Sequence, residues 1–294
     1  MSRIFEALQR SESERSGTAL PFQPSLATEL LEAAEREGPD VPQPVAPVVS
    51  ETVNDFQSLS PLVTPETRLV SVSDKESLAA EKFRFLGVRL RQLQQGRMLK
   101  KVLITSTLPE EGKSLVAANL AATLARRQQQ KVLLLEGDLR RPVLAQQMGH
   151  PHVPGITEWL HEGAGPINNI FYLDGPGFWL LPAGHPPENP LELMQTGKLN
   201  SLLEQLTVTF DWVIIDSPPL LPLADTSVWT RLVDGVLLVV REGKTEKRHL
   251  QRGLATLDKS RLLGVVVNNH TGTDNKNYYS RYSPSAAAPE GAAR

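Results

Sequence analysis

The chain has 294 residues, with 31 Lys and Arg against 33 Asp and Glu and no cysteine. A formal charge of −2 gives no global basic field, which excludes a general nucleic-acid binder. The absence of cysteine excludes disulfide frameworks, thiolate zinc sites and cysteine nucleophiles. No apolar run approaches the roughly 20 residues that a membrane helix needs, and the first residues lack a signal-peptide core, so we expect a cytoplasmic protein.

Residues 1–67 are predicted to form a disordered, acidic, proline-rich region. Between residues 19 and 66 there are eight prolines and eight acidic residues, but only one basic residue, Arg36. Such a composition buries too little apolar surface to offset the entropy cost of folding. Residues 1–16 have the spacing of a short amphipathic helix with Ile4, Phe5 and Leu8 on one face, although a frayed terminus is the preferred interpretation for so short a segment.

From residue 68 to residue 270 the patterns of helices and strands alternate. The stretch DKESLAAEKFRFLGVRLRQLQ has helical spacing, with Asp74 as the expected N-cap. The later runs KKVLITS, KVLLLE, DWVIID, DGVLLVV and RLLGVVV are continuously apolar, as strands are when helices cover both faces of a parallel sheet. We therefore predict one α/β domain with a doubly wound, mostly parallel sheet in a three-layer αβα sandwich. Tyr172, in NIFYLD, is predicted to pack within this domain.

The segment TLPEEGKS, residues 107–114, has the features of a phosphate-binding loop. It follows a predicted strand and opens a predicted helix, which is the context that such a loop requires. Lys113 would bring its charge to the phosphates, Ser114 would offer a hydroxyl to Mg²⁺, and Gly112 would let the backbone approach closely. Thr107 departs from the usual first glycine. The predicted nucleotide-binding residues are Thr107, Leu108, Pro109, Glu110, Glu111, Gly112, Lys113, Ser114 and Leu115.

Carboxylates follow two other predicted strands. Asp216 ends DWVIID, where an acid can bind Mg²⁺, although a strand-end cap is the alternative. Glu136 and Asp138 follow KVLLLE, at the edge where the strands of such a sheet face the ligand. A carboxylate there can take a proton from an attacking hydroxyl or hold the metal. Nearby, Arg140 and Arg141 would bridge phosphate, pair with a neighbouring subunit or form a solvated basic turn.

In this order the motifs resemble those of the bacterial tyrosine kinases of capsule and exopolysaccharide synthesis. The shared features are a phosphate loop of the form SxxPxEGKS, an apolar strand that ends in two carboxylates followed by LRRP, the run DWVIIDSPP, and a tyrosine cluster near the C-terminus. The resemblance implies a P-loop NTPase fold that uses ATP and Mg²⁺. It also implies catalytic roles for Lys113, Glu136, Asp138 and Asp216, with Ser114, Asp138 and Asp216 as metal ligands.

The same resemblance implies a substrate and partners. Residues 271–294 would be a flexible tail, and its Tyr278, Tyr279 and Tyr282 would be the phosphoacceptors of a neighbouring subunit in a ring. The expected partners are a transmembrane polysaccharide co-polymerase, which would activate the kinase and recruit it to the inner face of the membrane, and a cognate tyrosine phosphatase.

Several positions depart from the family pattern or extend it. Glu136 stands where the family usually has Asp, and Glu110 stands where many members have Gly, so Glu110 is expected to point outward. Glu81 and Arg84 match the subunit-contact motif ExxRxxR, but Gly87 replaces its second Arg. Asn268 follows the last strand, where relatives read adenine; a turn role is the alternative.

Two other functions remain open from the sequence. A partitioning-type ATPase of the same superfamily would carry an extra lysine near the start of its phosphate loop, where this chain has Leu108. A non-catalytic ATP-binding adaptor of the co-polymerase would bind nucleotide without transferring phosphate. Phosphate on the tyrosine tail distinguishes the kinase from both.

Overall fold

The computed structural model describes residues 57–63, 67–126, 130–162, 167–221 and 224–269. Within these ranges the strands are β1 (Gln57–Leu59), β2 (Lys101–Ser106), β3 (Val132–Glu136), β4 (Phe171–Leu173), β5 (Phe178–Leu181), β6 (Trp212–Asp216), β7 (Gly235–Arg241) and β8 (Leu262–Asn268). The helices are α1 (Val70–Ser73), α2 (Leu78–Gly96), α3 (Lys113–Ala125), α4 (Leu144–Gln147), α5 (Ile156–Glu162), α6 (Pro190–Met194), α7 (Lys198–Thr209), α8 (Asp225–Leu232) and α9 (Lys247–Ala255).

The eight strands form one sheet in the order β1-β4-β5-β3-β6-β2-β7-β8. All neighbouring strands run parallel except β4 and β5, which form an antiparallel pair. The order reverses around β2, β3 and β6, so the carboxyl ends of these three strands meet at one edge, the expected position of a ligand crevice. The predicted fold class is confirmed.

Helices cover both faces of the sheet, and this explains the continuous apolar runs. Along β2, Val102 and Ile104 point into a core that includes α3, whereas Leu103 points into a second core that includes α7. A residue on either face of a central strand is therefore buried, and selection for apolar side chains acts at every position.

Helix α3 is buried along almost its whole length. Its polar side chains are paired within the described structure: Asn119 accepts a hydrogen bond from the Ser71 backbone N–H at 3.0 Å, and the hydroxyls of Thr123 and Ser71 lie 3.0 Å apart. These contacts fix α1 against the middle and the second half of α3, whose amino end follows β2. That end carries Lys113 and Ser114.

The predicted N-cap of α2 is wrong. Asp74 follows the last residue of α1, and α2 begins only at Leu78 with Ser77 as its N-cap. The Ser77 hydroxyl accepts a hydrogen bond from the Ala80 backbone N–H at 3.2 Å, which satisfies one of the unpaired donors at the helix start.

The predicted start of the domain at residue 68 is also too late. Residues 57–63 already belong to it, because β1 pairs with β4 and the Leu62 N–H donates to the Met148 carbonyl at 3.0 Å. Leu59 and Val63 pack on the core. We call residues 57–63 the N-terminal strap. The sequence did not predict this strand, because its few apolar residues lie within an acidic, proline-rich region.

Other expectations fall inside or outside the described ranges. Tyr172 packs against Trp179, with ring centroids 4.9 Å apart, so its predicted packing role is confirmed. Tyr278, Tyr279 and Tyr282 lie outside the described residues, as do residues 1–56. None of the helices described is both long and apolar enough to cross a membrane.

Candidate active site

The phosphate loop joins the end of β2 to the start of α3. Gly112, directly before α3, has a φ of 94°, a left-handed conformation that glycine adopts without steric cost. A Cβ at this position would lie 2.1 Å from the Asn268 side-chain nitrogen. Both the backbone conformation and the close approach therefore require glycine here, as the sequence motif predicts.

A buried hydrogen-bond network holds the loop from inside. Glu111 accepts hydrogen bonds from the Thr107 hydroxyl at 2.9 Å, from the Leu108 N–H at 2.9 Å and from the Thr245 hydroxyl. Thr107 and Glu111 are buried. Thr107, which replaces the usual glycine, therefore supplies a donor for Glu111, and the Thr245 hydroxyl ties Glu111 to the segment after β7.

Glu110 turns away from the phosphate side of the loop. Its carboxylate pairs with the Lys244 ammonium at 2.7 Å and is largely exposed. The hydrogen bond from Lys244 and the charge of Lys244 lower the pKa of Glu110. The acid that replaces the family's glycine is thus directed outward, as expected, and its charge is compensated locally.

Lys113 lies between two carboxylates. Its ammonium is 3.1 Å from Asp138 and 3.7 Å from Asp216, and it donates to the Ser114 hydroxyl at 3.3 Å. Burial by itself would lower the pKa of Lys113, but Asp216 and Asp138 outweigh it and the pKa is raised. The ends of β3 and β6 and the start of α3 thus bring four predicted site residues together.

Asp216 is fully buried, and neither carboxylate oxygen has a hydrogen-bond partner among the described residues. Burial raises the pKa of Asp216 to about 6, against the opposing effects of the Lys113 charge and the nearby Ser114 hydroxyl. A buried carboxylate is costly unless a cation lies beside it, and Lys113 is the described cation that lies beside Asp216.

These neighbours fit a hard cation such as Mg²⁺. Asp216, Asp138 and the Ser114 hydroxyl would supply oxygen ligands, which Mg²⁺ prefers, and Mg²⁺ usually completes its shell with water and phosphate oxygens. Within the described ranges no group of three His, Cys, Asp or Glu side chains is arranged to hold a metal alone.

Glu136 has a different environment from the other predicted catalytic residues. It is 1% exposed, and backbone N–H groups of Val143, Leu144 and Ala183 donate to its two oxygens. Burial raises the pKa of Glu136, and these hydrogen bonds partly oppose the effect. The structure does not bring its carboxylate into contact with Lys113.

The segment from Gly137 to Pro142, which we call the carboxylate loop, carries Asp138, Arg140 and Arg141. Arg140 forms a two-pronged ion pair with the buried Asp225 at 2.6 and 3.1 Å. The Gly137 carbonyl accepts a hydrogen bond from the Trp229 indole at 3.1 Å. Arg140 therefore anchors this loop to α8, and both Arg140 and Arg141 line the adjacent cavity.

A cavity of about 560 Å³ opens over these groups. That size suits a nucleotide-sized ligand. Its lining residues are Pro109, Glu110, Gly112, Lys113, Ser114, Leu115, Asp138, Arg140, Arg141, Val143, Gln147 and Pro219.

Asn268 lies against the phosphate loop. Its amide group donates to the Glu111 carbonyl at 2.9 Å, and its side-chain oxygen accepts from the Asn269 N–H at 2.9 Å. Both ends of the side chain are thus used by protein groups. An adenine-reading role for Asn268 stays a prediction.

The predicted subunit-contact residues lie on α2, away from the cavity lining. Glu81 and Arg84 pair with each other on the exposed face of α2. Gly87 faces α3, where a Cβ would lie 3.2 Å from the Thr123 methyl group. The missing second Arg therefore falls at a position directed toward the core.

Sequence motifs did not reveal Thr245, Asp225 or Trp229. Each acts on a motif residue from a distant part of the chain: Thr245 on Glu111, Asp225 on Arg140, and Trp229 on Gly137. Asp225 carried one local signal, since an acid at the start of a helical pattern is typical of a first turn. Nothing in the sequence linked it to Arg140.

The fold and the loop together define a nucleotide-binding protein of the P-loop class. The chain is 35% identical over 211 residues to the tyrosine-protein kinase YwqD of Bacillus subtilis, and the match covers 69% of this chain and 86% of YwqD. The kinase domain of the Escherichia coli tyrosine kinase ETK matches with a TM-score of 0.65 and 26% identity over 76% of this chain and 87% of that structure.

A third similarity is to a longer protein. The succinoglycan biosynthesis transport protein ExoP of Rhizobium meliloti is 33% identical over 226 residues, which cover 74% of this chain but only 28% of ExoP. No family model matches the chain. The similarity to YwqD places the chain in the bacterial tyrosine kinase family of capsule and exopolysaccharide biosynthesis, as the motif resemblance predicted.

Proposed function

We propose that this kinase transfers the γ-phosphate of Mg-ATP to tyrosines of its own C-terminal tail and thereby regulates exopolysaccharide or capsule synthesis and export. The observation that carries the proposal is the buried Asp216 carboxylate, which lies 3.7 Å from the Lys113 ammonium at the mouth of a phosphate loop. Because the chain belongs to the bacterial tyrosine kinase family, tyrosine rather than water is the expected acceptor of the phosphate.

The site residues divide the work of transfer. Lys113 and the loop N–H groups bind the phosphates, while Ser114, Asp138 and Asp216 are the proposed metal ligands. Bound Mg²⁺ would neutralise charge that develops on the phosphate oxygens. The tyrosine oxygen bonds to the γ-phosphorus, the bond from that phosphorus to the bridging oxygen breaks, and ADP leaves with the electron pair.

The proton of the attacking tyrosine needs an acceptor that faces the cavity. Asp138 lines the cavity and sits 3.1 Å from Lys113. We assign it this role together with its place in the metal shell. Asn268 is proposed to approach the adenine from the end of β8, beside Gly112.

The proposed acceptors are Tyr278, Tyr279 and Tyr282. Phosphorylation adds about −1.5 to −2 charges per tyrosine at neutral pH. A tail carrying three such groups would be repelled by the carboxylates around the site, which favours release from a neighbouring subunit.

We further propose a membrane co-polymerase as activator and a tyrosine phosphatase that resets the tail. The similarity to part of ExoP, a succinoglycan biosynthesis transport protein, supports the first of these. Binding to such a partner would hold the kinase at the inner face of the membrane. Ring assembly through Glu81 and Arg84 completes the proposal.

A non-catalytic ATP-binding adaptor is the second candidate. The observation that favours it is the position of Glu136, whose carboxylate is held by backbone groups and is absent from the cavity lining. A partitioning-type ATPase has less support, because Leu108 stands where its additional lysine would be.

Site-mapped mass spectrometry after incubation with Mg-ATP tests the proposed acceptors. We expect phosphate on Tyr278, Tyr279 and Tyr282, and loss of most label in the variant with all three changed to Phe, with unchanged ATP affinity. The co-polymerase's cytoplasmic segment is added in parallel. ATP binding without phosphotyrosine, even with that segment, would favour the adaptor, whereas strong labelling elsewhere in the Phe variant would move the acceptor off the tail.

A further inference from the structure

The buried carboxylate of Glu136 is occupied on both oxygens. Oε1 accepts hydrogen bonds from the Val143 N–H at 2.6 Å and from the Leu144 N–H, and Oε2 accepts from the Ala183 N–H at 3.2 Å. All three donors belong to the backbone. They cannot be withdrawn unless the surrounding loops move, so the carboxylate is fixed in one orientation.

This orientation does not suit a proton acceptor for a substrate. A general base must come within hydrogen-bond distance of the proton that it removes. Glu136 is 1% exposed and does not line the cavity, whereas Asp138, two residues later, does. The lone pairs that a base would use already accept backbone N–H groups.

The same hydrogen bonds close the carboxylate loop. The bond from Val143 joins residue 143 to residue 136, the two ends of the segment that carries Asp138, Arg140 and Arg141. The Gly137 N–H donates to the Asp216 carbonyl at 2.7 Å, and Arg140 pairs with Asp225. The loop is therefore fastened at its start, its middle and its end.

Within the closed loop, Asp138 has one orientation. Its Oδ1 accepts a hydrogen bond from the Arg141 N–H at 3.2 Å, which leaves Oδ2 at 3.1 Å from the Lys113 ammonium. A catalytic group must be held to a fraction of an ångström, which requires support from residues behind it.

We propose that Glu136 is a positioning residue, whose carboxylate fixes the carboxylate loop so that Asp138 meets Lys113 and the phosphates. This inference rests on the proposed function, because it concerns the same site, and it replaces the catalytic role that the sequence predicted for Glu136. The glutamate side chain reaches about 1.5 Å further than aspartate, one carbon–carbon bond, and that reach lets it contact the three N–H groups.

Two variants test the proposal. Glu136→Gln keeps the shape of the side chain but places an amide N–H₂ donor against backbone N–H donors. Glu136→Asp keeps the negative charge, but its shorter side chain moves the carboxylate away from the three backbone N–H groups. Both should speed amide exchange at Val143, Leu144 and Ala183 by at least about tenfold, the ratio that corresponds to losing one hydrogen bond to a charged group. Both should also raise the Kd for Mg-ATP several-fold.

Glu158→Gln is the matched control. Glu158 also accepts backbone hydrogen bonds, from Gly155 at 2.6 Å and from His185 at 3.0 Å, but it does not line the cavity. Its change should speed exchange at Gly155 and His185 and leave the Kd for Mg-ATP unchanged. If Glu136→Gln does not fold, the charge-conserving Glu136→Asp carries the test.

Two results would overturn the proposal. In the first, Glu136→Gln has the Kd for Mg-ATP and the amide exchange rates at Val143, Leu144 and Ala183 of the wild-type protein, but transfers no phosphate. Glu136 would then be the base. In the second, the Glu136 variants have wild-type amide exchange, Kd for Mg-ATP and phosphate transfer. Glu136 would then not be a positioning residue. Amide exchange and nucleotide affinity can be measured without phosphate transfer. If the wild-type protein fails to phosphorylate tyrosine, the kinase proposal is therefore wrong, but the positioning role of Glu136 can still be tested.

Discussion

At the residue scale, Gly112 combines two constraints that can be separated by mutation. Gly112→Ala places a methyl group against Asn268 and also forces a non-glycine residue to a φ of 94°. We expect roughly 1 kcal/mol lower stability from the backbone conformation and, in addition, at least a tenfold weaker Mg-ATP affinity, because the loop must move. Chemical denaturation and equilibrium nucleotide binding measure the two effects.

Gly175→Ala is the control for this prediction. Gly175 has a φ of 89°, but a Cβ there would meet no atom within 4 Å among the described residues. It should show the stability loss without the loss of affinity. Equal ATP binding by Gly112→Ala and the unchanged protein would contradict the close packing of Asn268 on the loop.

Asp216 predicts a pH-dependent stability in the absence of metal. Its folded-state pKa of about 6 lies above the ordinary value of 3.8, mainly because of burial. The unfolded chain therefore ionises more readily, and the ionised side chain destabilises the fold above about pH 6. This penalty disappears as the pH falls toward 4. A difference of about 2 in pKa corresponds to about 3 kcal/mol.

Metal-free Asp216→Asn should therefore be more stable than the unchanged protein at pH 8, by about 1–3 kcal/mol, and this advantage should shrink at pH 5. Urea unfolding with a chelator measures both. Mg-ATP should stabilise the unchanged protein more than the variant, since the variant lacks the proposed ligand. An advantage of the same size at both pH values would show that Asp216 is not the titrating group.

The sequence predicted that most of these residues lie close together, because they fall in short motifs at strand ends. Lys113, Ser114, Asp138 and Asp216 could be assigned from their neighbours in the chain, since parallel strands bring their carboxyl ends to one edge. The contacts of Glu136 could not, because they depend on Ala183, 47 residues away. A carboxylate in a motif does not reveal whether it faces the ligand or the backbone behind it.

At the element scale, the N-terminal strap is the part of the fold that composition concealed. Leu59 and Val63 contribute to the core, and β1 extends the sheet beside β4. We expect removal of residues 1–56 to leave the thermal midpoint nearly unchanged. Removal of residues 1–66 should lower it by roughly 5–10 °C, because a few kcal/mol of apolar burial and strand pairing are lost.

Calorimetry of the two truncated chains measures this difference. Equal midpoints would mean that the strap adds nothing to the stability of the domain. A large fall on removing residues 1–56 alone would contradict the expectation, drawn from composition, that they contribute no core.

The elements themselves followed from the sequence where burial was uniform. Strands β2, β3, β6, β7 and β8 were continuous apolar runs and were predicted, whereas β1 and β5 of the same sheet were not. The start of α2 was misplaced because Asp74 and Ser77 are both good caps, and only the donor from Ala80 distinguishes them.

At the scale of the whole molecule, assembly is proposed through the exposed face of α2. Replacing Glu81 and Arg84 together by Ala should shift the mass measured by light scattering from an oligomer to a monomer, and should reduce tail phosphorylation at low protein concentration. The fold should be preserved, since exposed ion pairs contribute about 0–1 kcal/mol. The pair Glu246 and Arg248, also exposed and ion-paired, provides the control.

If the wild-type protein is an oligomer and the Glu81 and Arg84 variant has the same mass, this face of α2 is not the subunit contact. The subunit contact was the role least supported by the resemblance to the family, because Gly87 replaces the second Arg of the ExxRxxR motif. Position 87 faces α3 in this fold, so the contact would depend on the remaining two residues and their exposed neighbours.

The measurement that tests the account most directly is the intact mass and mapped phosphotyrosine of the full chain after Mg-ATP, beside Lys113→Met. We expect one to three phosphates on the tail of the unchanged protein and none on the variant, because Lys113 supplies the charge between Asp138 and Asp216 that holds the phosphates. Both chains should unfold cooperatively. Equal phosphorylation of the variant would contradict the assignment of this site as the kinase centre.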